Sequence, residues 1–169
     1  KDQYSVIRSE DGVFEKTKVD KRLRENPEEF VANEPTFHKK HYKIGNIGLY
    51  KNIEALREIK EYCDKNNVDF YVIAAPTHYL EMDAFDREEF TEYWRMLAGI
   101  VEFWDFSGYN SISMDSRNVY DVSHYSNGVG ELMMARMFQD TDIEVPEDFG
   151  IYVTKDNIEE VLKKKFAKP

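Results

Sequence analysis

The feature of this sequence that most constrains its fold is a short apolar run between two segments of helical periodicity. Residues 69–75 read DFYVIAA and are followed by Pro76. Unbroken runs of this length, rich in β-branched and aromatic residues, are typical of strands buried on both faces of a parallel sheet. Parallel strands need long crossover connections, which are usually helices. The run therefore predicts helices on either side of it.

The same alternation continues to the end of the chain. Apolar residues recur every three or four positions in the segments around 49–63, 86–100, 126–138 and 156–166. Between them, 101–106 and 149–153 have the composition of strands. This order predicts an α/β fold with a parallel sheet between helical layers. The strands are few for a complete doubly wound sheet, so we expect the sheet to be incomplete at its N-terminal side.

The first part of the chain has a different character. Residues 1–43 carry mixed charges, Pro27 and Pro35, and no sustained apolar period, which predicts an irregular N-terminal arm or insertion. A hairpin within residues 4–14, turning at an Asp-Gly pair, is the one local structure we expect there. Residues 44–169 then form the α/β domain.

Composition excludes several classes of function. The 169 residues carry a net charge of −10, which disfavours nucleic acid or anionic lipid as a partner. The single cysteine, Cys63, excludes an intrachain disulfide and a cysteine-based zinc site. His38 and His41 lie three apart near Glu34, but no carboxylate cluster completes a metal site, so we expect no metal.

No stretch of the sequence has the roughly 20 apolar residues that a membrane-spanning helix needs. The sequence begins at Lys1 rather than at a methionine. We therefore expect a longer parent protein, whose upstream sequence holds any signal or membrane anchor.

Polar residues follow two of the predicted strands. In open α/β sheets, binding sites gather beyond the carboxyl ends of the strands. His78 follows the first strand, and Asp105, Ser107 and Tyr109 end or follow the second, so we predict that these four bind substrate. The alternative for His78 is a hydrogen bond that holds the sheet edge. Asp105 has two alternatives, a turn-forming carboxylate or a partner that orients His78 or His124.

Asp121 and His124 lie three residues apart, just before a predicted helix. In acyl transfer a histidine takes the proton of the nucleophile, and a carboxylate fixes the histidine tautomer. The spacing is compatible with such a pair, but by itself it is a weak signal. The alternative is a solvated or capping histidine, since this spacing also arises by chance.

Four segments together resemble the C-terminal half of a bacterial SGNH/GDSL-like family of hydrolases and acyltransferases. They are VIAAPTH at 72–78, FWDFSGY at 103–109, YDVSHY at 120–125 with Gly130, and FGIYVT at 149–154. The match runs from about Leu49 to Leu162 and is specific only in combination. More distantly, the chain is similar to SGNH-like proteins that move acetyl or D-alanyl groups onto cell-envelope polymers.

The resemblance implies a flavodoxin-like three-layer α/β/α fold, with His124 as general base and Asp121 as its partner. It implies that a serine nucleophile and the oxyanion donors come from upstream, because no G-D-S block precedes Leu49. It implies no cofactor, an ester-bearing substrate or cell-envelope glycan, and an extracytoplasmic location, reached through the upstream sequence.

Two other functions stay open. One is a catalytically inactive SGNH-fold module that binds glycans or serves as a scaffold, with Tyr109, Tyr120 and Tyr125 lining a groove. The other is a structural domain of an assembly, with the first 43 residues as the interaction arm.

Overall fold

The computed structural model describes residues 7–8, 14–38 and 49–168. Within these ranges the chain forms seven helices and five short strands. In chain order they are β1 (Ile7–Arg8), β2 (Phe14–Glu15), α1 (Thr17–Glu25), α2 (Pro27–Asn33), α3 (Leu49–Lys65), β3 (Ile73–Ala74), α4 (Tyr79–Met82), α5 (Arg87–Ala98), β4 (Phe103–Asp105), α6 (Asn127–Phe138), β5 (Ile151–Val153) and α7 (Ile158–Lys165). Two 3-10 helices, Pro35–His38 and Ser116–Asn118, complete the described secondary structure.

Strands β3, β4 and β5 form a small sheet in that order. Strands β3 and β4 are parallel, with Ile73 paired to Trp104, as the alternation of elements predicts. Strand β5 is antiparallel to β4, with Asp105 paired to Ile151. The prediction of an all-parallel sheet is therefore wrong, and the fold is a mixed α/β fold.

The direction of β5 follows from the path of the chain before it. Helix α6 ends at the edge where β3 begins, and its Phe138 ring lies 6.1 Å from the ring of Tyr71. Residues 139–150 lead back along α6, and Arg136 holds them by donating to the carbonyl oxygen of Pro146 at 2.6 Å. Because this loop returns to the edge where β4 ends, β5 has to run the opposite way.

Helices cover both faces of the sheet. Successive strand residues point to opposite faces, so Phe103 and Trp104 belong to different cores. Phe103 packs with helices α3, α5 and α7 in a core built from Ile53, Leu97, Ala98, Val101, Val153, Ile158, Val161 and Leu162. Trp104 packs on the α6 side, against a core of Phe106, Ile112, Val129, Met133 and Phe149.

Strand β3 is shorter and less covered than the apolar run predicted. Only two residues of 69–75 pair as a strand. Phe70 and Val72 pack against the core of α3 and α5, whereas Tyr71 and Ile73 are 65% and 42% exposed. The run therefore has one partly buried face and one exposed face, and the prediction of burial on both faces is wrong.

The N-terminal arm is more regular than the sequence indicated. Helices α1 and α2 occupy 17–33, and their residues Val19, Leu23 and Phe30 form a core with Tyr120. The pairing of β1 with β2 is antiparallel, as the hairpin prediction requires, but its turn lies outside the described residues. The boundary at residue 43 and the candidate ligand His41 lie outside them as well.

Helix α5 is capped at its N-terminus by Asp86. The Asp86 carboxylate accepts hydrogen bonds from the backbone N–H groups of Glu88 and Glu89 at 3.0 and 3.2 Å. Such a cap satisfies donors that the first turn of a helix leaves unpaired. The cap fixes the start of α5 beside the carboxyl ends of β3 and β4.

Candidate functional site

The Asp121 to His124 segment is the tip of a closed loop in front of α6. Val119 and Tyr125 form an antiparallel bridge at its base. Above this bridge, the backbone N–H of Tyr120 donates to the carbonyl oxygen of His124 at 2.8 Å. These bonds fix both ends of the loop, so its side chains are presented by a constrained backbone.

The loop pairs the two predicted catalytic residues. Both carboxylate oxygens of Asp121 lie 2.9 Å from Nδ1 of His124. The Asp121 carboxylate also accepts from the backbone N–H groups of Ser123 and His124, at 2.8 and 3.0 Å. Its side chain is 27% exposed, and that of His124 is 65% exposed. The carboxylate is therefore held from three directions while the imidazole projects outward.

This geometry determines which nitrogen of a neutral His124 carries the proton. A carboxylate only accepts hydrogen bonds, so Nδ1 has to be the protonated nitrogen. Nε2 then carries the lone pair. Among the residues that the structure describes, none hydrogen-bonds Nε2, which leaves it available as a proton acceptor.

Backbone hydrogen bonding places the loop beyond the carboxyl end of β3. The backbone N–H of His78 donates to the carbonyl oxygen of Val122 at 2.9 Å. The hydroxyl of Ser123 donates to the Glu81 carboxylate on α4 at 2.9 Å. The Asp121–His124 pair thus lies at the sheet edge where α/β proteins gather their sites.

His78 lies close to the Asp121–His124 loop in the folded chain, but its surroundings are different. It is 1% exposed, and its ring contacts Phe37 and Tyr79. Its Nδ1 accepts from the backbone N–H of Leu80, so its Nε2 carries the proton and donates to Ser116 Oγ at 2.9 Å. Because Nε2 already carries a proton, His78 cannot take a proton from Ser116. Substrate binding by His78 stays a prediction.

Asp105 and Ser107 belong to a separate, buried hydrogen-bond network at the carboxyl end of β4. Asp105 is 3% exposed and accepts from Trp94 Nε1 at 2.8 Å, from Ser107 Oγ at 2.7 Å and from Lys165 Nζ at 2.5 Å. Lys165 also donates to the Ser107 carbonyl oxygen at 2.8 Å. Asp105 therefore hydrogen-bonds neither histidine.

Lys165 is the partner that sequence reasoning missed. It is 8% exposed, and its ammonium lies 5.7 Å from the centre of the Trp94 ring and 5.9 Å from that of Phe90. Burial lowers the pKa of Lys165, and the Asp105 carboxylate opposes that change. The available signal was its spacing, because residues 158, 161, 162 and 165 share one face of α7.

Of the three tyrosines expected to line a glycan groove, two donate hydroxyl hydrogen bonds to carboxylates. Tyr120 is 6% exposed, and its hydroxyl donates to Asp20 at 2.9 Å. The Tyr109 hydroxyl donates to Asp83 at 2.5 Å. Burial and the adjacent carboxylate raise the pKa of each to about 12. Tyr125 is half-buried against the α6 core. Glycan binding by these three rings stays a prediction.

Two cavities lie at this edge of the sheet. An apolar one of about 260 Å³ lies between α5 and the ends of β3 and β4, with Ser107 in its wall. A polar one of about 420 Å³ lies between the N-terminal arm and the loop that carries Asp121 and His124, and includes Tyr120 and Asp121. In the described part of the chain, no group of three or more His, Cys, Asp or Glu side chains is arranged to hold a metal ion.

Comparisons with protein-family models, with curated proteins and with solved structures find no match for this chain. The resemblance to the SGNH/GDSL-like family therefore rests on the sequence segments themselves. Among the described helices, none combines the length and apolar character required to cross a bilayer.

Proposed function

We propose that this chain is the C-terminal part of an SGNH-like esterase or O-acyltransferase, and that His124 is its general base. The observation that carries this proposal is the pairing of both Asp121 carboxylate oxygens with Nδ1 of an exposed His124. The pair lies beyond the carboxyl end of β3, where a flavodoxin-like sheet would present its catalytic groups.

In the proposed reaction a serine hydroxyl attacks the carbonyl carbon of an ester. Nε2 of His124 takes the hydroxyl proton as the new C–O bond forms, and the Asp121 carboxylate stabilises the resulting imidazolium. The tetrahedral intermediate then collapses, and His124 returns the proton to the departing alcohol. Water or a polymer hydroxyl repeats these steps on the acyl-serine, giving hydrolysis or transfer respectively.

The serine of this proposal comes from sequence upstream of the chain. None of the described serine hydroxyls hydrogen-bonds His124. Several have other partners at close range: the hydroxyls of Ser107, Ser111, Ser113 and Ser123 donate to Asp105, Asp148, the Gly108 carbonyl and Glu81. We place the substrate among ester-bearing polymers or glycans of the cell envelope, and the reaction outside the cytoplasm, on the strength of the family resemblance.

Ester turnover by a longer protein that contains this chain and its upstream sequence tests the proposal. With p-nitrophenyl acetate as substrate, His124→Ala should lower kcat/KM roughly 10²–10⁴-fold, because the proton acceptor is lost. The matched control is His38→Ala, which removes an imidazole whose hydrogen bonds within the described residues go to backbone carbonyls of α2. An active wild type whose His124→Ala variant retains its rate would contradict the assignment.

A further inference from the structure

The loop of residues 119–125, which carries Asp121 and His124, is the proposed catalytic loop. The polar cavity next to it is formed largely by the N-terminal arm. Its wall carries two cations from the arm, Lys16 and Arg22, and reaches Asp121 of the loop. A volume of about 420 Å³ is within the range of small-molecule sites, and lies beside the carboxylate that holds His124. The cavity is therefore suitably positioned to hold part of a substrate whose ester reaches His124.

Lys16 directly precedes α1 and Arg22 lies on it, and two other cations of this helix have carboxylate partners. Lys21 lies 3.7 Å from Glu25, and Arg24 lies 3.1 Å from Asp20. No carboxylate in the described part of the chain pairs with Lys16 or Arg22. In a chain with a net charge of −10, two cations without a carboxylate partner on one cavity wall favour an anionic ligand.

Aromatic rings hold these cations in place. The Lys16 ammonium lies 5.2 Å from the centre of the Tyr120 ring, and the Arg22 guanidinium lies 5.6 Å from that of Phe30. A ring face attracts a cation but does not neutralise its charge. Both groups thus keep their hydrogen-bond donors for a ligand, and Tyr120 connects one of them directly to the catalytic loop.

Two carboxylates also line the cavity, and both have local partners. Asp121 is bound to the His124 ring and to two backbone N–H groups. Glu34 accepts from the backbone N–H of Thr36 at 3.1 Å. Because these hydrogen bonds engage the carboxylates, the donors of Lys16 and Arg22 are the groups best placed to bind a ligand anion.

We propose that this cavity is an anion subsite, in which Lys16 and Arg22 bind a carboxylate or phosphate group of the substrate. The proposal rests on the proposed function for its catalytic meaning. It makes the N-terminal arm a part of the substrate site, and it restricts the ester substrate to an acidic one.

Binding can be measured on the 169-residue chain by NMR titration. The probes are glycerol 3-phosphate for a phosphate source, galacturonate for a carboxylate source, and galactose as the neutral control. We expect at least one anion to shift the Arg22 and Tyr120 signals saturably, with a dissociation constant on the order of millimolar. Galactose should leave them unchanged. The anion that binds more tightly identifies the source.

Two double variants decide whether these cations are responsible. Lys16→Gln with Arg22→Gln should weaken anion binding at least tenfold. Lys18→Gln with Lys21→Gln makes the same charge change on exposed positions of α1 and should have little effect. Equal loss of anion binding in both variants would show that net charge alone determines binding, and would overturn the subsite. The absence of saturable binding by either anion would also overturn it.

The outcome is separable from that of the proposed function. The His124→Ala chain should still bind the anion, because His124 does not line the cavity. Anion binding that depends on Lys16 and Arg22, combined with ester turnover that does not depend on His124, would remove the catalytic proposal and leave the subsite. The reverse result would remove only the subsite.

Discussion

Replacing Asp121 with Asn should lower ester turnover by the longer protein roughly 10⁴-fold, the loss seen when a triad carboxylate becomes an amide. The carboxylate accepts a hydrogen bond from Nδ1–H of His124 and so leaves Nε2 unprotonated. An Asn side chain can donate to Nδ1 instead, which stabilises the tautomer with its proton on Nε2. That tautomer cannot accept the serine proton. The measurement is kcat with p-nitrophenyl acetate.

The control for Asp121→Asn is Asp64→Asn, the same chemical change at an exposed ion pair with Lys60 on α3. It should leave kcat within about twofold, because it lies outside the loop that carries Asp121 and His124. If Asp121→Asn keeps more than a tenth of the wild-type kcat, the carboxylate does not set the tautomer used in catalysis, and the mechanism fails.

Replacing Lys165 with Met should lower the free energy of unfolding by about 3–5 kcal/mol. The substitution keeps most of the packing against Phe90 and Trp94 but leaves the Asp105 carboxylate buried without its cation. Desolvated charges without a partner are among the most destabilising defects of a folded protein. Urea unfolding of the 169-residue chain, followed by circular dichroism, measures this effect.

The neighbouring residue provides a matched control. Lys164 forms an ion pair with Glu160 at 2.8 Å, but both side chains are more than 70% exposed. Lys164→Met should therefore change stability very little, since solvent screens exposed pairs. Equal destabilisation by the two substitutions would show that helix α7, and not the buried pair, determines the effect.

Local periodicity predicted most helices and strands of the α/β part, because burial of one face produces the pattern. The Asp86 cap of α5 is read directly from sequence for the same local reason. Local periodicity does not predict strand direction. Nothing in the composition of 149–153 distinguishes a parallel from an antiparallel neighbour, and the loop 139–150 that reverses β5 is fixed by contacts of Arg136.

Sequence reasoning anticipates a contact between two side chains best where the partners are close in the chain. Asp121 and His124 are three residues apart, and one loop brings them together. The surroundings of His78 depend on Ser116, 38 residues away, and those of Asp105 on Lys165, 60 residues away. Lys165 occupies an apolar position of its helix, and that mismatch was the signal for a buried partner.

In the proposed mechanism, His124 presents an unprotonated Nε2 because Asp121 holds Nδ1. Long-range ¹H–¹⁵N NMR correlation of the histidine rings, recorded on the 169-residue chain above the pH at which its histidines lose their charge, measures this directly. We predict a proton on Nδ1 for His124 and on Nε2 for His78. A neutral His124 that carries its proton on Nε2 would contradict the account.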